Sequence, residues 1–153
     1  MDCDESETAK CVNNAYEMSN DDAVWAETTD GGLLKQLFGF YPTLHDAVIL
    51  SVDVDREADT IQMVVDYVDM VGEDTTQHLS VRIRLEWHGI ESFEIPFAER
   101  DLYFLDFGRR GNRIVTTIEM TGGIGTVVSD HFEAVLVQMD PGEHDDQPWL
   151  RLK

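Results

Sequence analysis

The sequence predicts an α+β fold that is mostly β: an antiparallel meander sheet, curved or partly closed, with a short helical segment at its N-terminal side. Three observations carry this. Residues 79–88 alternate strictly, with Leu79, Val81, Ile83, Leu85 and Trp87 on one face and Ser80, Arg82, Arg84, Glu86 and His88 on the other. That is the period of a strand with one buried and one wet face. Similar stretches recur from residue 47 to residue 139, mostly joined by short turn-forming segments, as in a meander. Helical spacing appears only before Pro42, where Leu33, Leu34, Leu37 and Phe38 form an apolar stripe.

Residues 1–20 are polar, acidic and aperiodic, and are expected to form a disordered leader. Residues 21–153 are expected to form a single domain. Asp21 and Asp22 are suited to cap a short helix through Ala23, Val24 and Trp25. Asp30 is suited to cap a second helix, Gly31 to Phe38, which Gly39 would stop. Strand spacing then starts near Ala47 and runs to Asp55. A turn over residues 56–59 leads to a second strand with Ile61, Met63, Val65 and Tyr67 on one face. A polar loop is expected over Gly72–Gln77, then the strand of residues 79–87. His88-Gly89 suggests a turn or bulge before a short strand over Ile90–Ile95, which Pro96 ends. Phe97–Phe107 lacks a clean period and is read as a helical turn or irregular segment packed on the sheet. Arg113–Met120, Gly125–Ser129 and Phe132–Met139 read as three strands, with Gly122-Gly123 as a hairpin turn. Pro141–Gln147 reads as a loop, and Trp149–Leu152 as an edge strand or a docked tail.

A chain of 153 residues buries roughly 70% of its unfolded surface, enough for one sizeable core. No apolar run approaches the ~20 residues of a membrane span. The acidic N-terminus lacks the pattern of a signal peptide, so a cytoplasmic protein is expected. Cys3 and Cys11 have no histidine near them and read as reduced thiols without a role.

Charge narrows the function classes further. Asp and Glu number 31 against 11 Lys and Arg, a formal net charge of −20. Such a surface repels nucleic acid and anionic membranes and speeds encounter with basic proteins. Its bland alternative is solubility alone.

The segment Phe38-Gly39-Phe40-Tyr41-Pro42-Thr43-Leu44-His45-Asp46-Ala47 joins the helical part to the first strand. A proline-fixed turn there holds a titratable pair at a strand entrance. The segment resembles the signature of the immunity protein 50 family of bacterial polymorphic toxin systems, an aromatic-Gly-aromatic-Trp-Pro-Ser-Phe-His-Asp-Ala-Glu run before a strand. Phe38, Gly39, Phe40, Pro42, His45, Asp46 and Ala47 match. Tyr41, Thr43 and Leu44 keep the chemical type, whereas Val48 stands where the family has glutamate. The resemblance implies a toxin-neutralising binding protein, with a cognate toxin as partner.

No residue is expected to be catalytic, cofactor-binding or metal-ligating. The five histidines, His45, His78, His88, His131 and His144, show no paired ligand spacing. Neighbours on a strand point apart, so His45 and Asp46 are expected to be structural: one bonding backbone near Pro42, the other pairing with a buried group. A metal-dependent enzyme using His45 and Asp46, with Asp130-His131 meeting them in space, is the alternative. Ser51, Ser80 and Ser129 lack a hydrolase elbow. Gly122-Gly123-x-Gly125 lacks a dinucleotide fingerprint, and Gly111-Asn112 has no phosphate-loop lysine. Trp25, Trp87, Trp149 and the phenylalanines offer a ligand or sugar surface as one reading, but Trp87, on the apolar face of its strand, reads as core; Met63, Met70 and Met120 read as core or rim. Arg82, Arg84 and Glu86 read as cross-strand pairs on the wet face.

The expected function is capture of a basic protein toxin, with a nuclease as a natural class for an acidic inhibitor. The strand carboxylates Asp53, Asp55, Asp66, Asp69 and Glu86 are the expected contacts, ahead of the loop acids Glu73 and Asp74. The structural signature is Phe38, Gly39, Phe40, Tyr41, Pro42, His45 and Asp46. A third alternative is an acidic orphan β domain without a specific partner.

Overall fold

Each of the six longer strands buries one row of apolar side chains, and the sheet curves until those rows face one another. The computed structural model describes residues 20–71, 74–96, 100–141 and 150–152. The leader with Cys3 and Cys11, Gly72 and Glu73, most of the 141–147 loop, His144 and Trp149 lie outside the described residues. The elements are α1 (Asn20–Ala26), α2 (Gly31–Phe38), β1 (Ala47–Asp55), β2 (Thr60–Val71), β3 (Asp74–Glu94), β4 (Asp101–Arg110), β5 (Arg113–Met120), β6 (Gly123–Met139) and β7 (Leu150–Leu152).

Two three-stranded meanders build the sheet. β1, β2 and β3 are consecutive neighbours, as are β4, β5 and β6, and β3 pairs with β6 along most of its length. β1 pairs with both β2 and β4, so the six antiparallel strands follow one another in a ring. The β1–β4 seam is short: Ala47 opposes Leu102 and Val48 opposes Asp101. Arg100 reinforces it, with Nε donating to the Ile49 carbonyl at 2.8 Å and a terminal guanidinium nitrogen donating to the Leu50 carbonyl at 2.9 Å. β7 lies parallel on the same edge of β1, at Val52–Val54.

The inward rows include Ile49, Val52, Ile61, Met63, Val65, Tyr67, Val81, Ile83, Leu85, Trp87, Ile118 and Phe132, all at most 1% exposed. Trp87 is core, as expected, and its indole N–H donates to Thr116 Oγ1 at 2.9 Å, so its polar atom is satisfied in the interior. Trp25, Phe107, Phe132 and Trp87 form one aromatic cluster with centroid spacings of 4.8–6.0 Å. Met63 and Met120 are buried in the core as well.

The helices close a gap. β5 pairs with β6 only as far as Ser129, which leaves the C-terminal half of β6 with one edge that β5 does not cover. The α1–α2 connection takes that place. Asp30 N–H donates to the Ala134 carbonyl at 3.0 Å, and the Leu136 N–H donates to Asp30 Oδ2 at 2.7 Å. Thr29 N–H donates to Glu133 Oε1. Asp30 is therefore at the cap position of α2 but makes no side-chain cap bond; its carboxylate satisfies the sheet edge instead.

Several boundaries differ from expectation. Asp21 and Asp22 lie inside the first turn of α1, which starts at Asn20, instead of preceding it. Leu33 is exposed, so the α2 stripe is narrower, with Leu34 and Phe38 buried. The polar stretch Asp74–Gln77 belongs to β3. No turn interrupts His88-Gly89: β3 is one 21-residue strand. Gly89 adopts φ +66°, and a register shift between Ile90 and Ser92 bends the strand without ending its pairing to β6. The two strands expected over residues 125–139 are likewise one, β6. Phe97–Phe107 is not helical where it is described. Its residues from Asp101 form β4, and a register shift between Leu102 and Phe104 breaks the period-two pattern that sequence reading relies on.

Candidate functional site

The corner that joins α2 to β1 is built from backbone geometry. Gly39 ends α2 at φ +90°, with its N–H donating to the Lys35 carbonyl at 2.7 Å. Pro42 is buried. Leu44 and Asp46 then both adopt left-handed backbone, at φ +61° and +63°. That conformation costs a residue bearing a side chain roughly 1–2 kcal/mol. Leu44 is fully buried, which contributes ~1.5–3 kcal/mol and offsets the cost. Asp46, short and polar, tolerates the same region more readily. The Ala47 N–H closes the turn on the Leu44 carbonyl at 3.1 Å.

This corner corrects the expectation for the His-Asp pair. Because Leu44 takes the inward direction, His45 and Asp46 turn to solvent, at 68% and 70% side-chain exposure. They do not point apart, since β1 starts only at Ala47, and His45 Nδ1 lies 3.0 Å from Asp46 Oδ2. Among the described residues, neither side chain pairs with a buried group. The His45 N–H donates to Thr43 Oγ1 at 3.2 Å. Thr43 in turn sits beside Tyr67, whose hydroxyl donates to Asp69 Oδ2. Burial pushes the Tyr67 hydroxyl well above its ordinary value, and the Asp69 carboxylate adds to the rise.

The aromatic residues of the signature pack around the corner. Phe38 packs on Tyr67 at 5.4 Å between ring centroids, and Phe40 leans on Phe38 at 6.1 Å with part of its ring in solvent. Tyr41 is half-buried, and the Lys35 ammonium lies 4.9 Å from its ring centroid.

Beside the corner lies a cleft of about 540 Å³, lined by Asp22, Trp25, Tyr41, Pro42, Thr43, His45, Phe104, Leu105 and Asp106. Trp25 is nearly buried, whereas Phe104 keeps 37% of its surface exposed, next to an exposed Tyr103. Among the described residues no lysine or arginine lines it. Sequence reading missed Phe104 and Asp106, because the bulge in β4 hid the strand that presents them. The available signal was the aromatic run Tyr103-Phe104 beside acids, in a segment that lacked a clean period.

The expected partner-binding carboxylates do not form one free surface. Asp66 is buried, and Arg82 grips it with two hydrogen bonds of 2.7 and 3.0 Å. Asp69 accepts the Tyr67 hydroxyl. Asp55 Oδ1 accepts the N–H groups of Glu57 and Ala58 at 3.1 and 3.2 Å, holding the β1–β2 turn. Glu86 bridges Arg84 at 2.5 Å and His88 at 3.0 Å along its own strand, so the Arg84 pair is not cross-strand as expected. Asp53 is half-buried. The side chains of Glu73 and Asp74 lie outside the described residues.

Asp130 and His131 do not join His45. They sit on β6, which β2 and β3 separate from β1 on one side of the ring and β4 and β5 on the other. Asp130 pairs with Arg113 at 2.9 Å. His131 faces His88 at 5.9 Å between ring centroids, and its Nε2 lies 3.6 Å from Glu133. Burial works to raise the Glu133 carboxyl, but the backbone N–H groups of Thr29 and Ala134 outweigh it and hold the group below its ordinary value. Among the described residues, no group of three or more His, Cys, Asp or Glu side chains stands in metal-binding proximity. No helix among them is long and apolar enough to cross a membrane. Comparison with family models, with curated proteins and with solved structures returns no match.

Proposed function

We propose that this chain is a cytoplasmic immunity protein that binds and neutralises a basic protein toxin, and that it catalyses no reaction of its own. The observation that carries this is the formal net charge of −20. A field of that sign attracts a cationic partner and accelerates capture, to roughly 10⁸–10⁹ M⁻¹s⁻¹ in the most favourable cases at low salt. Rapid, tight capture is what protection from a toxin requires. The resemblance of residues 38–47 to the immunity protein 50 signature supplies the kind of partner. A nuclease is the natural class, because a protein that grips phosphates presents a basic cleft to an acidic inhibitor. The contact surface draws on carboxylates other than Asp66, Asp69, Asp55 and Glu86, which are engaged within the chain.

The test is co-expression with the protein encoded beside this chain. Rescue of growth, a stable complex on co-purification, and an association rate that falls as salt rises are the expected results. A neighbour that remains toxic and forms no complex overturns the proposal.

A further inference from the structure

The cleft beside the corner carries a more specific inference about the partner, one that rests on the proposed function. The geometry points to the cleft as a socket for an arginine side chain of the partner protein.

Three features of the cleft fit that occupant. Its volume of about 540 Å³ accommodates a long side chain together with the backbone that presents it. Its walls are aromatic: a buried Trp25, Tyr41 on the corner and a partly exposed Phe104 on β4. A guanidinium is planar and weakly hydrated, and stacks on such rings. Tyr41 already holds the Lys35 ammonium at 4.9 Å from its ring, so the ring that offers open surface for stacking is Phe104. Asp22 from α1 adds negative charge to the lining, and the exposed Asp106 on β4 is the carboxylate that a guanidinium pairs with through a rigid fork of donors. Arg109, three residues along β4 from Asp106, is turned to Glu27 at 3.2 Å.

The second cleft, of about 400 Å³ between the β1–β2 turn and residues 90–93, is a poorer candidate. It includes Arg56 and Glu91, and Arg113 engages that carboxylate at 2.8 Å. The His88, His131, Glu86 and Glu133 array is bonded within itself. Of these two clefts, the first combines exposed ring surface with carboxylates and has no basic side chain among its described lining.

The probe is N-acetyl-arginine methylamide, titrated into the full chain and followed by two-dimensional NMR. Its citrulline analogue has the same shape without the charge, and its lysine analogue has the charge without the plane. Saturable shifts centred on Trp25, Phe104 and Asp106 are expected, with each analogue binding at least about tenfold more weakly. Asp106→Asn and Phe104→Ala should each weaken arginine binding severalfold, while Asp140→Asn, a charge-matched change elsewhere on the surface, should leave it unchanged. Equal binding of either analogue, or shifts spread over the acidic surface without saturation, overturns the socket. The toxin separates this inference from the function it rests on. Undiminished capture and protection by the Asp106→Asn/Phe104→Ala variant overturns the socket and leaves the immunity function standing. Arginine binding in the cleft of a chain that captures no toxin sustains the socket and overturns that function.

Discussion

The two meanders of this ring use similar residues in opposite ways. Where β2 and β3 pair in unbroken register, from Thr60 to Met70, outward polar side chains are spent on the sheet itself. Asp66 and Arg82 face each other across β2 and β3, and Arg84, Glu86 and His88 form a chain along β3. In β4–β6 the strand that borders the helices carries a bulge. It turns Tyr103 and Phe104 partly to solvent and places Asp106 at a cleft. A charge visible on a strand is not thereby available to a partner. Regular pairing gives each outward side chain two neighbours across the sheet, and opposite charges find one another there. An interruption of that register leaves side chains facing a gap that something else can fill.

The largest loss is expected at the interior both halves share. Trp87 from β3 packs on Phe132 of β6 at 5.3 Å and bonds Thr116 of β5. Trp87→Ala should destabilise the chain by about 3–5 kcal/mol. Chemical denaturation would show it as a lower midpoint with cooperativity retained. A loss under about 1 kcal/mol would mean that the two halves do not share a core.

Next in size is the pair that marks the first half as self-satisfied. Asp66→Asn keeps the shape but removes the charge opposite a partly covered Arg82. It should cost about 2–3 kcal/mol and leave toxin capture unchanged once the variant is folded. Weaker capture without loss of stability would return Asp66 to the partner surface.

The junction between helices and sheet gives a pH-dependent test. Glu133 has its carboxyl held below the ordinary value of 4.5 by the folded structure. The unfolded chain therefore takes up this proton first as pH falls. The stability it contributes is present above the unfolded value and is lost as pH falls through the folded one. Below pH 4.5 the parent chain should lose stability with acid more steeply than Glu133→Gln. Identical acid limbs would show that the Thr29 and Ala134 contacts do not depend on the charge.

The smallest effect is expected at the most recognisable dipeptide. His45 and Asp46 pair with each other in solvent, and exposed pairs are worth ~0–1 kcal/mol. His45→Ala should change the melting temperature little. If toxin capture falls while stability holds, the corner belongs to the contact surface together with the cleft it borders.

How much of this was legible follows from where periodicity survives. Strict alternation over residues 79–88 marks the central part of β3 and its inward row, and strand spacing marks β1 at about Ala47–Asp55. Gly39 was legible as a helix stop because only glycine reaches φ +90° at no cost. The left-handed Leu44 was not, since nothing in a leucine announces that conformation. Tertiary burial selects it against local preference.

The amino-acid sequence by itself determined the strand periods, the acidic charge, the helix stop and the apolar rows that demand a core. These depend on neighbours along the chain, and composition and spacing record them. Tertiary structure alone decided that Asp30 serves a strand edge and not its own helix, that β4 is a bulged strand, that Asp66 is consumed by Arg82, and that Asp22, Phe104 and Asp106 meet at one cleft. Each of these depends on groups far apart in the chain. Their contact energies exist only once the ring has closed, so no local pattern records them.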